Sequence, residues 1–95
     1  MDLRKEPRYA VDCSVETSGG SGFPEQVCVS GTLINISAGG ACVLSDQSVS
    51  VFTLLPCHFH FALLPVGIPI LTQVRWVEPL SSNPPTFRIG LEFVL

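Results

Sequence analysis

Helix signals are nearly absent from this chain of 95 residues. No stretch places apolar residues at i, i+3, i+4 and i+7 with a capping residue in front and a glycine stop behind. A predominantly helical fold is excluded. Charge is also scarce, at 14% of the chain against about 25% in an average soluble domain. Of the five basic residues, Arg4, Lys5 and Arg8 crowd one end while Arg75 and Arg88 stand alone, and the net charge is −3. The broad basic face of a general nucleic-acid binder is therefore missing, which excludes DNA and RNA as partners. The basic cluster could still hold one small anion. The longest apolar run, Phe61 to Leu71, is broken by Pro65, Gly67 and Pro69, whereas a membrane-spanning helix needs about 20 residues. The opening Met-Asp-Leu-Arg-Lys-Glu-Pro-Arg offers no apolar stretch for a signal peptide, so the expected location is the cytoplasm.

Other absences bear on chemistry. Cys13, Cys28, Cys42 and Cys57 are spaced by 15, 14 and 15 residues with no Cys-x-x-Cys pair. A structural zinc site would want closer spacing, and disulfides are rare in the cytosol. The four are expected to be reduced, buried thiols acting as small hydrophobes. His58 and His60 share one strand face while Cys57 points the other way, so these three residues do not converge on a metal. Ser37 has no base in a triad-like context, and no acid–base pair is visible. The chain does not read as an enzyme, and neither a metal nor a cofactor is expected.

What is present is period-two alternation and β-branched runs. Residues 9–16 alternate Tyr9, Val11, Cys13 and Val15 against Ala10, Asp12, Ser14 and Glu16. Residues 17–25, rich in Gly and Ser, form a loop. A long strand follows at 26–36, in which Gly31 is expected to mark a bulge. Ser37 to Gly40 make a tight turn, 41–44 a short strand and 45–50 a loop. Residues 57–64 alternate, with Cys57, Phe59, Phe61 and Leu63 inward. After a turn at 65–69, residues 70–78 place Ile70, Thr72, Val74 and Trp76 on one face, so Trp76 is expected in the core. Residues 81–85 turn again, and 86–94 close the chain with Phe87, Ile89, Leu91 and Phe93 on one side. The expected fold is all-β: a small six-stranded antiparallel β-barrel with little or no helix, in one domain over residues 1–95. A barrel hides the strand edges that a chain with 46% apolar residues could not safely expose. Some of that apolar content can serve an interface.

Two groups of residues could carry binding chemistry. In Arg4-Lys5-Glu6-Pro7-Arg8 the proline disfavours helix at the residue before it. Extended chain then separates the two arginine Cα atoms by up to roughly 13–14 Å, enough to grip two places on one ligand. Guanidinium groups offer paired donors to phosphate or to a guanine edge, and they stack on flat rings. In Asn35-Ile36-Ser37-Ala38-Gly39-Gly40, Asn35 presents a donor and an acceptor. Ser37 adds a hydroxyl, and Gly39 and Gly40 permit positive φ and close backbone approach. The same residues would also make an ordinary turn between two strands.

Taken together, Arg4 and Arg8, then Asn35, Ser37 and Gly40 about 30 residues later, resemble the signature of the PilZ family: Arg-x-x-x-Arg followed by Asp/Asn-x-Ser-x-x-Gly. Val74-Arg75-Trp76 and Gly90-Leu91-Glu92-Phe93 follow in the family's order. The resemblance implies a six-stranded barrel that binds cyclic di-GMP, a bacterial second messenger. It implies a flexible arm over residues 1–8 that folds onto the ligand ahead of a barrel over 9–95. Arg4 and Arg8 would contact guanine edges and phosphates. Asn35 and Ser37 would hydrogen-bond a guanine or a phosphate, with Gly39 beside them and Gly40 leaving room. A receptor of one domain has no output of its own, so a protein partner is implied. Many members carry a C-terminal helix over one barrel opening, for which no residues follow the last strand here, so exposed apolar surface and a homodimer are expected. The alternative is a ligand-independent adaptor, which the intact arginine pair disfavours.

Overall fold

The computed structural model describes residues 9–18, 24–62 and 64–95, with side chains described from Val29 onward. Arg4, Arg8 and the expected arm lie outside the described residues, as do the side chains of the alternating segment 9–16. Six strands run in chain order: β1 (Tyr9–Ser18), β2 (Pro24–Ile36), β3 (Gly40–Ser45), β4 (Leu54–His60), β5 (Ile68–Ser82) and β6 (Pro85–Phe93). Among the described residues there is no helix. Every pairing is antiparallel, and the order β1-β2-β3-β6-β5-β4 closes into a barrel through β1 and β4. The all-β class read from the alternation is observed. Closure pairs the strands on both sides around the barrel wall, whereas β1 beyond Cys13 and β2 before Gly31 pair only with each other.

The inward residues fill the barrel. Leu33, Val43, Leu55, Phe59, Val74, Ile89 and Leu91 form one apolar cluster with Cys57. Phe59 is fully buried and meets the ring of Phe93 edge-on, with centroids 6.0 Å apart, the arrangement that aromatic quadrupoles favour. Thr72 is buried with them, and its hydroxyl donates to the Leu55 carbonyl at 2.9 Å. That bond removes the penalty of an unpaired polar atom in the core.

The structure departs from the sequence expectations at several points. β4 begins at Leu54 and ends at His60 rather than spanning 57–64. Leu55, only 1% exposed, belongs to the inward set. At the other end the Leu64 amide donates to the Phe61 carbonyl, so the chain has turned out of the sheet there. β5 continues to Ser82, and the turn into β6 shrinks to Asn83-Pro84, joined by a cis peptide bond. Gly31 makes no bulge. It pairs in register with Ser45, and a Cβ there would lie 2.7 Å from the Leu44 carbonyl oxygen. Its role is close strand approach. The register shift of β2 falls between Leu33 and Asn35 instead.

Two corrections matter more. Trp76 is 44% exposed and not a core residue. Val74 pairs with Leu91 and Trp76 with the next residue back, Gly90, so Arg75 is an extra residue in β5. One inserted residue resets a period of two, and everything after it changes face. Cys57 is disulfide-bonded, against the expectation of four reduced thiols. The β1–β4 register sets Cys13 opposite Cys57, a juxtaposition that spacing along the chain does not reveal. Cys42 is a free, buried thiol.

Candidate functional site

The segment 35–40 is built as a strand-to-strand corner. Asn35 follows the β2 bulge and pairs with Cys42, and Ile36 pairs with Ala41. Between them the chain reverses. The Ser37 amide donates to the Gly40 carbonyl at 2.8 Å, and the Ser37 hydroxyl reaches the same oxygen at 3.4 Å. The Gly39 carbonyl accepts from the Phe93 amide at 2.9 Å, tying the corner to the end of β6. Neither Gly39 nor Gly40 has a φ in the left-handed region, contrary to the expectation from turn chemistry. Gly40 is required for another reason: a Cβ there would collide with the Leu91 carbonyl oxygen. The space it leaves is taken up by the β3–β6 ladder, not kept open for a ligand. Around Gly39 a Cβ would meet nothing within 4 Å.

The facing wall comes from the hairpin of β5 and β6. The β5 bulge turns Arg75 and Trp76 outward, and β6 contributes Arg88, Gly90 and Glu92. Trp76 lies against Gly90 so closely that a Cβ at position 90 would run into the indole. The two walls enclose an open depression of about 430 Å³ lined by Asn35, Ser37, Gly39 and Gly40 together with Arg75, Trp76, Arg88 and Gly90. That volume is within the range of small-molecule sites. A second depression, of about 320 Å³, is lined by Ser30, Thr32, Asp46 and their neighbours and contains no basic residue. Only the first combines positive charge, amide and hydroxyl groups, an aromatic face and bare glycine backbone.

The charges in the site are loosely held. Arg75 Nε lies 3.6 Å from Glu92 Oε2, and its guanidinium stands 5.8 Å from the centre of the Phe52 ring. Arg88 Nη2 lies 3.2 Å from Glu78 Oε1. All four side chains are substantially exposed, and exposed pairs of this kind are worth at most about 1 kcal/mol. Arg88 Nε, in contrast, is closed off from solvent and has no hydrogen-bond partner. Cys42 lines the depression. Burial pushes its thiol pKa up, the Arg88 guanidinium opposes that, and the Glu78 carboxylate adds to it. No cluster of metal-ligating side chains occurs among the described residues; His58 is exposed and His60 half-buried.

Asn35, Ser37, Gly39 and Gly40 thus converge on one site. Arg4 and Arg8 lie outside the described residues. Their attachment point does not: β1 begins at Tyr9, paired with Leu33 and hence two residues from Asn35. Sequence reasoning missed Arg75, Trp76 and Arg88 as site residues: the Val74-Arg75-Trp76 segment carried the resemblance but was given no binding role, and nothing local distinguishes Arg88 from an isolated surface charge. The family profile of the PilZ domain matches residues 2–95. The chain belongs to the PilZ family. PilZ domains are a binding and adaptor family that takes cyclic di-GMP. No curated protein and no solved structure matches the chain. In this PilZ barrel the Asn-x-Ser-x-x-Gly segment occupies the corner, and the Val74-Arg75-Trp76 and Gly90-to-Phe93 segments build the wall across from it. Among the described residues, no helix is long and apolar enough to cross a membrane.

Proposed function

We propose that this PilZ domain is a cyclic-di-GMP receptor of the bacterial cytoplasm. Residues 1–8 act as an arm that closes over ligand held at the 35–40 corner. Arg4 and Arg8 bind phosphates and guanine edges, and Asn35 and Ser37 hydrogen-bond the ligand from the barrel, with Gly39 and Gly40 beside them. The observation that carries this reading is that the corner shares a single depression with Arg75, Trp76 and Arg88. A ligand with two phosphates and two purines needs cationic donors and a flat apolar face together, and charge-assisted bonds from arginine are the strong kind. The start of the described chain supports the role of the arm: β1 begins at Tyr9, which pairs with Leu33 on the strand that leads into the corner.

Ordering the arm has an entropic cost, and binding changes its conformation. That change is the signal a protein partner reads. Calorimetric titration with cyclic di-GMP tests the reading. Saturable heat is expected with the native chain, and at least a tenfold loss of affinity with Arg8→Ala, which removes charge-assisted bonds worth about 1.5–3 kcal/mol. No heat with the native chain overturns the receptor reading and leaves a ligand-independent adaptor.

A further inference from the structure

Arg88 belongs to neither of the two binding motifs, yet it lines the same depression as Asn35, Ser37 and Gly40. Its position is fixed by two ladders, with Leu44 opposite on β3 and Glu78 opposite on β5. Pairing on both sides fixes the backbone of Arg88, so its side chain is anchored at the rim of the depression before any ligand arrives. It has five N–H donors and no acceptor. One nitrogen, Nη2, meets Glu78 Oε1 at 3.2 Å, and Nε has no partner. Nε is closed off from solvent, but the side chain as a whole is 42% exposed, so an incoming anion meets the guanidinium on its other side. Its current partner is a poor competitor, because the Glu78 side chain is 54% exposed and water screens the pair.

We propose that Arg88 is a further ligand-binding residue, donating to a phosphate of the bound dinucleotide, and that Glu78 is the internal competitor which holds the guanidinium until the phosphate displaces it. This rests on the receptor reading above. Binding then exchanges one carboxylate partner for a phosphate that accepts bidentate donation from the planar guanidinium. Affinity is set jointly by the attraction of Arg88 for the ligand and its attraction for Glu78.

The test is a double-mutant cycle on the full chain, with cyclic di-GMP as the titrant and calorimetry as the readout. Arg88→Ala is expected to weaken binding about tenfold or more. Glu78→Gln is expected to tighten it about two- to fivefold, the worth of an exposed pair. The gain from Glu78→Gln should vanish in the Arg88→Ala background, because Glu78 acts through Arg88. Arg88→Lys keeps the charge but loses the fork and is expected to bind severalfold more weakly than native; it stands in for the alanine variant if that chain does not fold. Unchanged affinity in the Arg88 variants overturns the proposal. So does a Glu78→Gln gain that persists without Arg88, since the carboxylate would then be repelling the ligand directly. If the native chain gives no heat, the receptor reading fails first. If it binds and only the Arg88 cycle is flat, this proposal fails and the receptor reading stands.

Discussion

At the scale of single residues, the site depends on an absent side chain as much as on those present. Gly90 lets the Trp76 indole settle against the β6 backbone, where its ring faces the depression. Trp76 is the only tryptophan in the chain, so its emission reports this contact directly. Gly90→Ala is expected to lift the indole from the sheet. Because the ring already lies partly in solvent, it can swing outward, so the loss of stability should stay near 1 kcal/mol, the low end for overpacking. The emission should shift to longer wavelength. A variant with native emission would show that the indole does not rest on position 90.

At the scale of elements, the corner between β2 and β3 separates two meanings of a glycine. Both Gly39 and Gly40 belong to the segment read from sequence as a binding turn, but their surroundings differ. A Cβ at Gly40 would strike the Leu91 carbonyl, a backbone atom that cannot rotate away, so β3 would be forced from β6. Gly40→Ala is expected to cost about 1–3 kcal/mol of stability, measured by denaturant unfolding. Gly39→Ala, in open space, should leave stability within about 0.5 kcal/mol. Its effect on cyclic-di-GMP binding then isolates the need for bare backbone at the ligand surface. Equal stability losses at the two positions would contradict the geometry.

At the scale of the molecule, the barrel wall is closed but its apolar surface is not fully covered. Phe52 is 64% exposed, Leu54 54% and Val66 69%, in a chain with few charges to keep it dispersed. Exposed apolar groups of this size commonly serve an interface. Sedimentation across a concentration series is expected to show the mass rising from one chain of 10.2 kDa toward a dimer. A constant monomer mass at high concentration would count against self-association.

The sequence by itself determined the class of fold, because alternation with a period of two needs no partner to be visible: Phe59, Val74, Ile89 and Leu91 are core on their own pattern. It also pointed to the 35–40 segment, since Asn, Ser and Gly carry their chemistry wherever they lie. Tertiary structure alone decided which residues stand across from that segment. Trp76 faces the site only because Arg75 is an extra residue against β6. A bulge is a mismatch between two strands, and neither strand shows it alone. Arg88 is a site residue only because β6 lies between β3 and β5. Cys57 stands opposite Cys13 through strand register, which spacing along the chain does not show. Local pattern records which face a residue prefers, while pairing between distant strands sets what it meets there.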